Sequence, residues 1–151
     1  MAQITSDSDF KAAIDALDAT QQRVVAGLFV KNVLELCDDG RIRHVADIAA
    51  NPDASDQELA DALKTARATT IDCHARCGSE GDWQAQAGYF VARAATAALT
   101  PTSQSKGGGP AWQAAMSSRM ARTSKQIDAE DVSTNDESAS QYKILSDYLN
   151  S

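Results

Sequence analysis

Apolar residues recur at three- and four-residue steps over most of the chain, the period of helices that bury one face. Phe10, Ile14 and Leu17 form the first such face, with Asp7 or Ser8 placed to cap it. Thr20 reads as the next start. Val24, Val25, Leu28, Phe29, Val33, Leu36 and Cys37 follow as the strongest core stripe, and Asp38-Asp39-Gly40 closes it. Residues 41–50 make a short helix with Ile42, Val45, Ile48 and Ala49 on one side and His44 on another. Asn51-Pro52-Asp53-Ala54 breaks the pattern, and Ser55-Asp56-Gln57-Glu58 has the reciprocal spacing of a capping box. The stripe then resumes as Leu59, Ala62, Leu63, Ala66, Thr70, Cys73 and Cys77.

Gly78-Ser79-Glu80-Gly81 offers a hairpin turn, after which Asp82 caps a helix with Trp83, Ala87, Phe90, Val91, Ala94, Ala98 and Leu99 on a broad apolar face. Tyr89 and Arg93 fall at its margin. Residues 100–109, with three consecutive glycines, form a flexible connection without the lysine and spacing of a phosphate-binding loop. Pro110 suits the first turn of a helix whose sparse apolar face comprises Trp112, Ala115, Met116, Met120 and Ile127. Residues 129–151 read as an acidic polar tail ending in a short docking helix over 141–149, with Tyr142, Leu145 and Tyr148 or Leu149 on one face. The predicted fold is therefore all-α, a compact bundle of about five or six helices with a short terminal helix, its core domain spanning 1–128.

At 151 residues the chain fits one domain, and its 43% apolar content is dominated by alanine, since aromatics supply only 5%. Alanine permits close helix approach but buries little area per residue. A net charge of −7 repels phosphate surfaces, so neither nucleic acid nor an anionic membrane is an expected partner. No window spans a bilayer and no secretory signal stands at the start. A soluble, cytoplasmic protein with its three cysteines reduced is the expectation.

The densest chemistry lies at Cys73, His74 and Cys77, which could ligate zinc or copper with Asp72 or Cys37 completing the set, or supply a thiol and its base. Against this, His74 lies about 100 degrees around the helix from Cys73, and both cysteines continue a packing stripe. Asp72 with Arg76, His44 with Asp47 and Glu58 with Lys64 read as surface pairs or caps. Trp83, Tyr89, Trp112, Tyr142 and Tyr148 are the candidates for an interaction surface. The expected function is a non-catalytic helical interaction or accessory module without a cofactor, binding a protein partner or a second copy of itself. The alternative is a small metal-binding or thiol-dependent enzyme centred on Cys73, His74 and Cys77.

Overall fold

Ser6, rather than Asp7 or Ser8, starts the first helix: its hydroxyl accepts from the Asp9 N–H at 3.2 Å. The computed structural model describes residues 4–77, 83–105, 107–128 and 137–151, with the side chains of residues 76, 77, 83, 84 and 128 outside that description. Helix α1 spans Asp7–Asp15, and Asp7 and Asp9 in its first turn face the positive end of the helix dipole. Helix α2, Ala19–Lys31, begins at Asp18, which accepts from the Gln21 N–H at 2.8 Å while the Gln21 side chain accepts from the Asp18 N–H at 3.0 Å.

The long stripe expected to run to Cys37 divides. After α2 a short 3-10 turn covers Leu34–Leu36, and Cys37 leaves it in extended conformation. Asn32 supplies the physical reason. Its amide donates to Glu137 at 2.7 Å and its carbonyl accepts from Arg122 at 3.4 Å, while the Leu36 N–H turns to the Val33 carbonyl. Arg122 thus occupies the carbonyl to which the Leu36 N–H would have bonded had the helix continued, and Glu137 holds the Asn32 side chain in place.

Helix α3, Arg41–Ala50, buries Ile42, Val45, Ala46 and Ala49. Both bonds of the Ser55/Glu58 capping box are present at the start of α4, Asp56–Cys77. Helix α5 spans Trp83–Leu99, a 3-10 turn covers Thr102–Gln104, α6 spans Gly109–Asp128 and α7 Glu137–Leu149. The described residues therefore form an all-α bundle of seven α-helices with no strand. The expected hairpin turn at 78–82 and the segment 129–136 lie outside the described residues.

Helix α5 is the central element, packed most extensively against α6 and α4 and also reaching α2 and α3. Its inward face is Ala87, Val91, Ala94, Ala95 and Ala98, and α6 answers with Ala111, Ala114, Ala115, Ser118 and Ala121, all buried. This corrects the expected face of α6: Met120 and Ile127 are exposed, because small residues one position away let the two helices approach closely. Gly27 plays the same part between α2 and α3, where an added Cβ would lie 2.6 Å from the Ala50 backbone nitrogen.

At the other side of α6, Phe10 packs among Phe29, Trp112 and Tyr142, with ring centroids 5.4 to 6.1 Å away. Helix α7 docks here through Leu145 and a buried polar row. Glu137, 2% exposed, pairs with Arg122 at 3.1 Å; Gln141 accepts from Arg119 at 2.8 Å and donates to the Ala115 carbonyl at 2.9 Å. Tyr142 donates to Asp7 at 2.7 Å. Hydrogen bonds from Arg119 and Tyr142 hold the Asp7 carboxyl below its usual range.

Candidate functional site

On the outer face of α5, Tyr89, Arg93, Thr96 and Thr100 follow at i, i+4, i+7 and i+11 and make the floor of a groove between α4 and α6. The groove contains a cavity of about 470 Å³, walled by Thr70 of α4 and by Gln113 and Ser117 of α6, with Gln104 and Ser105 at one end. Thr70 and Thr96 meet where the α4 wall joins this floor, with hydroxyl oxygens 3.1 Å apart. Each also donates to the carbonyl four residues earlier, Thr70 to Ala66 at 2.8 Å and Thr96 to Ala92 at 3.0 Å. A hydroxyl carries one proton, so the bond between them forms only when one of these backbone bonds is released. The pair can present either a donor or acceptor lone pairs to the cavity.

The Arg93 guanidinium stands over the Tyr89 ring, 5.8 Å from its centroid, and is exposed. No described carboxylate lies within 4 Å of it, whereas Arg41, Arg119 and Arg122 are all engaged with acids. The His74 ring also packs on Tyr89, with centroids 5.3 Å apart.

The residues expected as metal ligands or thiol catalysts take different environments where they are described. Cys73 is buried in the α4 stripe, His74 is exposed, and the Cys77 side chain lies outside the described residues. Among the described residues no group of three His, Cys, Asp or Glu is placed to hold a metal ion. Cys37 is half-buried beside Gly88, and desolvation pushes its thiol from 9.0 up to about 11, so it stays protonated at neutral pH. Asp72 pairs with Arg41 at 2.9 Å, while the side chain of Arg76, its expected partner, lies outside the described residues; Asp47 pairs with Lys31 at 3.1 Å in place of the expected His44–Asp47 pair, and Glu58 serves as a cap.

Of the aromatic candidates, Tyr89 lies in the groove. Trp112 and Tyr142 pack on Phe10, Tyr148 is half-buried against the core, and the Trp83 side chain lies outside the described residues. A second cavity, about 380 Å³, lies where the starts of α2, α4 and α6 meet the end of α5, with Leu59, Leu63, Leu99 and Pro110 in its wall. Arg23 at its edge is already committed to the carbonyls of Ala49 and Asn51, at 3.2 and 2.7 Å. The sequence places Thr70 on the α4 packing stripe and does not single out Thr96 and Thr100, although their helical spacing from Tyr89 and Arg93 on an alanine-rich segment was there to be read.

No helix among the described residues is long and apolar enough to cross a membrane. Compared with known proteins, the chain matches no family model, no curated protein and no solved structure.

Proposed function

We propose that this chain is a non-catalytic helical interaction module and that its partner is a second copy of itself. The observation that carries this reading is the exposure of three large apolar side chains: Ile71 at 69%, Met120 at 48% and Ile127 at 44%. All three lie on the C-terminal halves of α4 and α6. The second cavity brings the starts of α4 and α6 to the end of α5, so both helices run antiparallel to α5 and their C-terminal halves share one end of the bundle. A two-fold contact would set this end against itself, each residue facing the same patch on the other copy.

The energetics favour weak association. Fully burying such a side chain is worth about 1.5–3 kcal/mol, and these are already part-covered, while association costs upwards of about 4 kcal/mol in lost freedom. Two copies carrying −7 each also repel, so added salt should strengthen the contact. The dispersal of Cys73 and His74 and the protonated state of Cys37 support the non-catalytic part of the reading.

Sedimentation equilibrium over a wide concentration range tests it. The mass should rise from 16.0 kDa towards twice that value, more steeply at high salt. Ile71→Asp and Met120→Asp should each hold it at the monomer. A constant monomer mass at high concentration and high salt would overturn self-association. Stoichiometric zinc or copper in the untagged protein, lost on Cys73→Ala, would overturn the non-catalytic reading in favour of a metal centre.

A further inference from the structure

The cavity along α5 has a lining of a different chemistry from the apolar residues of that contact. Its walls carry hydroxyls and primary amides on a floor that includes Ala97, with a single guanidinium above. We propose that this cavity binds a small polyhydroxylated anion, a sugar phosphate in chemical class, with Arg93 holding the phosphate and Thr70, Thr96, Gln113 and Ser117 hydrogen-bonding the hydroxyls.

Three observations carry the assignment. Arg93 borders the cavity with no described carboxylate within 4 Å, so its charge is open to an anion from solution. The tyrosine beneath it fixes its position, which lowers the entropy lost when the fork closes on an anion. A ligand hydroxyl both donates and accepts, and needs wall groups that do the same. The Thr70 and Thr96 hydroxyls can exchange their protons between backbone carbonyls and the cavity, and the Gln113 amide, one of whose N–H groups is held by the Gly107 carbonyl, keeps its own carbonyl and a second N–H. The volume of about 470 Å³ is within the range of small-molecule sites and accommodates a monosaccharide with its phosphate. A bare inorganic anion would use Arg93 alone and leave the hydroxyl wall unengaged. A wholly apolar ligand would strand that wall without partners.

The full chain should be titrated calorimetrically with the monophosphates of glycerol, ribose and glucose, each beside inorganic phosphate and the corresponding neutral polyol. At least one sugar phosphate should bind, at least tenfold more tightly than inorganic phosphate and than its neutral counterpart. Arg93→Met keeps the aliphatic stem over Tyr89 and removes the charge; it should weaken binding at least tenfold, with the thermal melt unchanged because Arg93 is exposed. Thr96→Val, which removes a hydroxyl at constant shape, should weaken the sugar phosphate severalfold and leave inorganic phosphate unaffected. Absence of binding by all three esters at millimolar concentration would overturn the proposal, as would equal affinity for inorganic phosphate or full retention of affinity in Arg93→Met. Ile71→Asp should change the sedimentation mass without changing the titration, so failure of either reading leaves the other standing.

Discussion

The same substitution, glycine to alanine, should have opposite effects at two positions in this bundle. In a helix interior the exchange is worth about 1 kcal/mol in favour of alanine from propensity alone. At Gly88 of α5 that gain should be realised: an added Cβ meets nothing closer than 3.9 Å, where it touches Cys37 and the Leu36 carbonyl in ordinary contact. Gly88→Ala is expected to stabilise by about 0.5–1 kcal/mol. At Gly27 of α2 the Cβ would lie 2.6 Å from the Ala50 nitrogen, 2.9 Å from the Ala49 carbonyl carbon and 3.0 Å from the Ala50 Cα. These are backbone atoms of α3 and cannot rotate away. Restoring an ordinary separation of about 3.5 Å requires the helices to part by nearly an ångström, against an overpacking cost of about 1–3 kcal/mol and the loss of contacts along the seam. It also strains the bond from Arg23 to the Ala49 carbonyl. The net expectation is a loss of about 1–2 kcal/mol after the propensity gain. Urea denaturation followed by far-ultraviolet circular dichroism reads both. With a slope of about 1–3 kcal/mol per molar, the two midpoints should separate by roughly 1 M, the wild type lying between them. A Gly27→Ala protein as stable as Gly88→Ala would refute the close approach of α2 and α3.

Two further outcomes follow from buried groups. Arg122→Met removes the guanidinium from the buried Glu137 carboxylate and should cost about 3 kcal/mol, while Arg122→Met with Glu137→Leu should cost less than the single change, as a double-variant cycle by urea melts will show. The Cys37 thiol is raised in the fold from 9.0 to about 11 by desolvation, so the folded state holds its proton more tightly than the unfolded. Its contribution is fully present below pH 9 and is lost as pH rises through 11; wild-type stability should fall more steeply than that of Cys37→Ala across this window, and parallel curves would refute the desolvated site.

Helix type was legible because it depends on local periodicity, and so was the cap at Ser55 and Glu58, whose two bonds form as their spacing predicts, whereas α1, α2 and α7 begin at Ser6, Asp18 and Glu137, ahead of the expected Asp7 or Ser8, Thr20 and Gln141. The end of α2 was not legible. Asn32 is held by Glu137 and Arg122, about a hundred residues away in the chain, and no local pattern announces such partners. The face of α6 was misassigned for a different reason: a search for bulky apolar residues selects Met120 and Ile127, whereas the seam with α5 is built on alanine and serine. At the groove, the sequence placed Tyr89 and Arg93 at a helix margin, but their relation to Thr70, Gln113 and Ser117 depends on three helices meeting. The cluster at Cys73 and His74 drew attention by residue type, and the helix separates the two into interior and surface.

Tyr142 and Asp7 stand 135 residues apart in sequence and 2.7 Å apart in space. Helical bundles owe their usual speed of folding to local contacts, and this one closes with a contact that spans nearly the whole chain. The loop-closure entropy for such a span is spent before the hydrogen bonds of α7 return anything, which places the docking of α1 and α7 on each other after the assembly of α4, α5 and α6. Contacts formed that late are absent from the transition state. Tyr142→Phe, which removes the bond to Asp7, is therefore expected to speed unfolding while leaving the folding rate nearly unchanged, and a slower folding limb in its chevron would refute that order of events.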